Sequence, residues 1–243
     1  MTIPSIDDSQ RKAARVAGFA YLFSLAIEMG SEFRIKPHLF VSGNAAETAR
    51  NILAHEQLFR LGVACDLIYA TGTLVLLTAL YVILRPVNRQ LALLAAFSRL
   101  VYAVAWVVIA LNLFTALRLL SGADYLHAFG AEQVQALAKL YLSGFDAYYV
   151  GLLFYGLAST VCAWLWFKSH YIPRGLAAWG VIASAWCAAC TFVFYIFPDF
   201  PRVVSLWWFD TPMGLFEIAT SFWLLFKGLP RGDRAHQVPV VAT

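Results

Sequence analysis

The sequence predicts an all-α membrane protein, a six-transmembrane-helix bundle with both termini cytoplasmic and two short amphipathic interfacial helices on its outer side. Three observations carry this expectation. Of 243 residues, 61% are hydrophobic and only 13% are charged, against roughly a quarter charged in soluble domains. Apolar runs of transmembrane length recur along the chain, each bounded by charged residues or by Pro and Gly; at ~1.5 Å per residue each can cross a ~30 Å hydrocarbon core. The basic residues are also unevenly shared. Ten of them (Arg11, Lys12, Arg15, Arg85, Arg89, Lys168, Arg174, Lys227, Arg231 and Arg234) fall on the side that holds the termini, and six (Arg34, Lys36, Arg50, Arg118, Lys139 and Arg202) on the other. An excess of Lys and Arg marks the cytoplasmic side. The net charge of +4 is accounted for by these helix ends, so no nucleic-acid partner is expected. The expected partners are membrane lipids and a small or lipid-like ligand.

Residues 1–12 are polar and read as an N-terminal tail. Arg11, Lys12 and Arg15 flank an apolar run, Val16 to Ile27, which ends in Glu28-Met29-Gly30. The run resembles a signal peptide but has no A-x-A-like cleavage site, so it is read as a retained first span over 13–30. A loop with Pro37 is expected over 31–44. Asn44 and Glu47 then have the spacing of a capping box. They open an amphipathic helix over 45–58, with Ala49, Ile52, Leu53 and Phe59 on one face.

The second span, 58–85, contains an apolar run from Leu61 to Leu84 that a single carboxylate, Asp66, interrupts. That run measures ~36 Å as a helix, and Arg85-Pro86 stops it. The third span, 90–119, carries Arg99 and Asn112 and gives way to Ser121-Gly122-Ala123-Asp124. Residues 131–142 place Val134, Leu137, Ala138, Tyr141 and Leu142 at helical spacing and form the second amphipathic helix. The fourth span covers 145–168. The fifth starts at Pro173-Arg174 and ends at Pro198. The sixth covers 206–227, with Pro212 and Gly214 in its outer third. Residues 13–228 make one membrane domain, followed by a polar tail, 229–243.

Charges inside spans are expensive, face the interior and pair, and by default they mark function. Asp66 lies about nine residues below the outer edge of its span and Arg99 about nine above the inner edge of the next. Both therefore fall at ~14 Å depth, and Glu217 reaches the same level. Asp66, Arg99 and Glu217 are expected to form a midplane cluster. Its functional reading is the charged floor of a binding cavity, and its structural reading is an ion pair that locks helices together. Glu28, Arg60, Asn112 and Tyr148 lie nearer the outer face and would line the same cavity. Asp146 and Asp210 read as ordinary interfacial polarity.

Other chemistry is excluded. Cys65, Cys162, Cys187 and Cys190 all lie in apolar runs, where a thiol behaves as a small hydrophobe. The string Trp186-Cys187-Ala188-Ala189-Cys190 resembles a redox motif, but a reactive thiolate needs an electropositive, partly exposed position, and these thiols lie mid-helix. None of the five histidines, His38, His55, His127, His170 and His236, is deep in a span, which argues against haem or zinc. No cofactor and no metal is expected.

The segments NILAHEQLFRLGVACDLIYATGTLVLLTALYVILRPVNRQLALLAAFSRLVYA, YLHAFGAEQVQALAKLYL and DAYYVGLLFYGL resemble a bacterial membrane family known only as a domain of unknown function, DUF4386. The likeness covers roughly residues 12–228. LFRLG with its downstream Asp66, the RPVNRQLALLAA turn and the AAFSRL stretch around Arg99 are its most specific pieces. Ser98 departs from the family pattern, which usually reads AFR there. The resemblance implies a six-helix bacterial inner-membrane protein and no activity. The function expected first is binding or transport of a small or lipid-like ligand in a polar cavity reaching the midplane. The alternatives are an intramembrane enzyme acting on a lipid through a carboxylate pair, Asp66 with Glu217, and a non-catalytic scaffold or regulatory subunit.

Overall fold

The computed structural model describes residues 6–41, 44–122, 130–143, 145–197 and 199–230. The expected tails, apart from residues 6–12 and 229–230, and the sequence around Asp124 lie outside them. Ten α-helices run in order among the described residues: α1 (Asp8–Arg34), α2 (Lys36–Leu39), α3 (Ala45–Ala54), α4 (Glu56–Leu84), α5 (Arg89–Leu120), α6 (Ala131–Ser143), α7 (Phe145–Ser169), α8 (Arg174–Ile196), α9 (Phe200–Val203) and α10 (Leu206–Phe222). A π-helical turn, Trp223–Lys227, continues α10.

Local chemistry explains the boundaries. The first helix starts five residues before the expected position because Asp7 and Gln10 cap it reciprocally. The Gln10 amide donates to Asp7 Oδ1 (2.7 Å), and the Asp7 amide donates to Gln10 Oε1 (3.1 Å), which is the capping-box arrangement. It also runs past Gly30 to Arg34, so the loop expected over 31–44 is mostly helical. No breaker occurs before Pro37, Arg34 complements the dipole in the last turn, and the chain turns at Ile35 only to resume in α2. The Asn44 cap on α3 forms as the spacing predicts: its side chain accepts from the Glu47 amide (3.1 Å) and donates to the Glu47 carboxylate (2.9 Å). Asn88 caps α5 in the same way, accepting from the Leu91 amide (3.0 Å).

Five helical stretches are long and apolar enough to cross a membrane: Asp8–Leu39, Glu56–Leu84, Arg89–Leu120, Gln133–Ser169 and Arg174–Ile196. Large apolar side chains stand exposed on them, among them Phe19, Val104, Leu111, Ile182 and Phe192. Soluble surfaces rarely carry so many, whereas lipid solvates them without cost. The chain is an all-helical, multi-pass integral membrane protein. α10, with Pro212 inside it, has 17 residues.

The chain divides into two compact units. One comprises Met1–Leu22, Val75–Ser98 and Gly156–Thr243, the other Phe23–Leu74 and Arg99–Tyr155. In the first, helices approach closely at glycines. A Cβ on Gly18 of α1 would stand 2.6 Å from the Ser221 carbonyl oxygen of α10, and one on Gly156 of α7 would stand 3.1 Å from Ala188 of α8. Gly180 of α8 likewise faces the Phe216 ring of α10. Small residues at such crossings let backbones approach in lipid. The buried Gln10 side chain ties this packing to α4 by donating to the Ile83 carbonyl (3.0 Å).

The second unit has a core of Ile35, Leu39, Ile52, Phe59, Val63, Ala110 and Leu117. Ile52 and Phe59 are buried as the amphipathic pattern predicts. Leu53, expected beside them, is exposed, because the buried face of α3 runs through Thr48 and Ile52, one turn apart.

Candidate functional site

Glu28, Glu32 and Lys36 are spaced four apart, so the extension of α1 into α2 places them on one helical face. Lys36 Nζ lies 2.8 Å from Glu32 Oε2, 3.1 Å from Glu28 Oε1 and 3.9 Å from Asp66 Oδ1 of α4. The first two are hydrogen-bond distances, and the third is an ion pair without a hydrogen bond. The Asp66 and Glu28 side chains are only 2% and 8% exposed, Lys36 29% and Glu32 45%. Three carboxylates therefore share one ammonium, and two of them are buried. Glu28 Oε2 and Asp66 Oδ1 have no hydrogen-bond partner. A lone buried carboxylate is costly to desolvate, and Lys36 offsets that cost for the group in part.

An aromatic group adjoins these charges. Lys36 Nζ lies 6.0 Å from the centroid of the Trp106 ring. Trp106 packs on Tyr69 (4.8 Å), Tyr148 (6.0 Å) and Tyr102 (6.3 Å), mostly edge-on or tilted. The Tyr69 and Tyr102 hydroxyls are hydrogen-bonded at 3.2 Å. Tyr155 lies against Tyr102 (4.4 Å), Tyr149 against Tyr148 (5.7 Å), and the Arg99 guanidinium over the Tyr155 ring at 4.7 Å. Helical spacing sets this up: Arg99, Tyr102 and Trp106 share one stripe of α5, and Asp66 and Tyr69 share one on α4.

The structure thus brings Glu28, Asp66, Tyr148 and the buried Arg99 into one unit and gives Asp66 a partner, Lys36, that the sequence reading placed in a loop. One signal in the sequence could have found it: Glu28, Glu32 and Lys36 are spaced four apart, as on one helical face. Arg60 is exposed and pairs with Glu56 one turn earlier (2.7 Å). Asn112 is half-buried on α5. The side chain of Asp146 lies outside the described residues. Glu217 belongs to the other unit. It is buried on α10 and accepts a hydrogen bond from the Ser159 hydroxyl of α7. Cys187 and Cys190 are buried in α8, away from the exposure that a reactive thiol needs.

A family model described as Domain of unknown function (DUF4386) matches residues 16–228, and the chain belongs to that family. No curated protein and no solved structure matches it.

Proposed function

We propose that this DUF4386 protein is a binding or transport protein for a small or lipid-like ligand, held where Glu28, Asp66 and Lys36 meet Trp106 and Tyr148. The observation that carries the reading is the shared lysine: one ammonium serves three carboxylates, and two buried carboxylate oxygens have no hydrogen bond. A purely structural ion pair gains nothing from surplus buried charge, whereas a ligand site uses it. Arg99, stacked on Tyr155 and joined to Trp106 through the ring contacts of Tyr102, supplies the opposite charge in the same unit. Glu217, which accepts a hydrogen bond from Ser159, lies in the other unit, and Arg60 and Asn112 complete the sequence-derived set.

The membrane arrangement that goes with this reading has six spans. α10 and its π-helical continuation together form the sixth, ~30 Å or more long. Both termini then lie in the cytoplasm, as the Lys and Arg asymmetry favours, and α3 and α6 lie at the outer interface of a bacterial inner membrane. Reporter fusions at Met1 and Thr243 test that topology, and opposite readings at the two ends would overturn it.

The site itself is tested by native mass spectrometry of gently extracted protein. A molecule retained by the wild type and lost from the Glu28→Gln, Asp66→Asn double variant, at similar melting temperature, is the expected result. Identical spectra for the two proteins, or no retained molecule in either, would contradict the reading.

A further inference from the structure

We infer that the site takes an organic ammonium group and that Lys36 is a tethered occupant of the place where that group binds. The inference rests on the binding reading above and names the ligand class. The chemistry is read from what already surrounds an ammonium in the structure. Lys36 Nζ has carboxylate oxygens at 2.8, 3.1 and 3.9 Å and the Trp106 ring centroid at 6.0 Å. Tyr69 and Tyr148 pack against the same indole. Carboxylates beside a wall of aromatic rings are the environment that organic cations prefer.

Other ligand classes fit less well. An anion would meet three carboxylates that share one ammonium. A hard metal ion takes six or more oxygen ligands at ~2.0–2.6 Å and gains nothing from indole and phenol rings. Of Lys36 and the two buried carboxylates, the lysine is the part most able to leave. Its side chain is 29% exposed while those of Glu28 and Asp66 are 8% and 2% exposed, and it stands at the start of a four-residue helix. Swinging it outward exchanges its three contacts for water and leaves the buried carboxylates in place for an incoming cation. A tethered competitor acts at an effective concentration in the millimolar range, so a ligand must add ring contacts that a primary ammonium on a thin stem does not make. A quaternary ammonium does so.

The probe is tetramethylammonium chloride, added to the full-length protein in neutral detergent with equimolar sodium chloride as control. A short pulse of an amine-reactive ester, read by peptide mass spectrometry, reports how far Lys36 is released. Lys36 labelling is expected to rise roughly threefold or more as the cation approaches saturation, with Lys139, Lys168 and Lys227 unchanged. A Lys36 rate that rises no more than in sodium chloride would overturn the inference. In a second arm, Lys36→Met is expected to gain several degrees in melting temperature from tetramethylammonium, and adding Glu28→Gln and Asp66→Asn should abolish the gain. A folded Lys36→Met that does not respond contradicts the inference, and if that variant does not fold, the wild-type labelling decides.

The source of the cation is separable. An amine-headgroup lipid among the retained molecules and a small soluble amine would each support the ammonium class. A retained neutral or anionic molecule that depends on Glu28 and Asp66 would overturn it while leaving the binding reading intact.

Discussion

The molecule handles buried carboxylates in two ways. In one unit Glu28 and Asp66 share a lysine that reaches in from a partly exposed position, beside stacked aromatic rings. In the other, Glu217 accepts a hydrogen bond from Ser159 on a helix surface where glycines bring backbones close together. The difference lies in what can be exchanged. A mobile ammonium can be replaced by another cation without disturbing the helices. A hydroxyl fixed on a closely packed helix cannot leave, so it contributes to specifying how α7 and α10 meet. The first arrangement suits a ligand, the second a fixed packing register.

The largest effect is expected where the shared counter-ion is lost. Lys36→Met leaves three carboxylates around an apolar side chain and is expected to cost about 3 kcal/mol. That is the lower end of the ~3–5 kcal/mol typical for breaking a buried pair, because Lys36 retains 29% exposure and the acids can take up protons. Thermal unfolding in detergent checks it, and a shift within error would mean that the acidic group needs no cation.

Gly18→Val should come next, at about 1–3 kcal/mol. Its new Cβ would meet the Ser221 carbonyl at 2.6 Å and the Leu225 amide at 3.0 Å, and backbone yields less readily than a side chain. Lys36 labelling in that variant should stay at the wild-type level; a change would show that the two arrangements are not separable.

Ser159→Ala removes a donor to a carboxylate and is expected to cost roughly 1.5 kcal/mol. Its tetramethylammonium response should remain that of the wild type. Arg60→Ala tests the smallest effect, because an exposed i, i+4 pair of the Glu56–Arg60 kind contributes only ~0.3–0.5 kcal/mol. A melting-temperature change above about 2 °C would give Arg60 a role beyond that pair.

Much of the fold was legible because it follows from local rules. The apolar runs, the Asn44 cap and the positions of α4, α5, α7 and α8 need only helical period, hydropathy and capping chemistry. The first helix was less legible: Pro37 and the polar stretch after Gly30 read as a loop, while the chain stays helical to Arg34 and resumes in α2. Reading that stretch as a loop also hid the partner of Asp66. Asp66, Arg99 and Glu217 have a depth because they lie within apolar runs, whereas a lysine in an apparent loop has none. The role of Tyr69, Tyr102 and Trp106 was hidden for a different reason. Aromatic residues at helical spacing look the same whether they face lipid, core or ligand, and only three-dimensional packing shows them gathered beside the carboxylates. Glu28 and Asp66 were legible because a charge inside or beside an apolar run stands out against its surroundings, and Tyr148 because it is an aromatic residue near the outer end of its span.

A double-mutant cycle on Lys36 and Asp66 tests most directly whether one lysine neutralises this buried acidic group. Unfolding free energies would be measured for the wild type, Lys36→Met, Asp66→Asn and the pair under one set of detergent conditions. If Lys36 is the counter-ion, the double variant should recover a large part of the stability lost in Lys36→Met, with a coupling of about 1–3 kcal/mol. Additive losses, with the double variant less stable than either single one by their sum, would show that Asp66 does not depend on Lys36 and would remove the basis for the site.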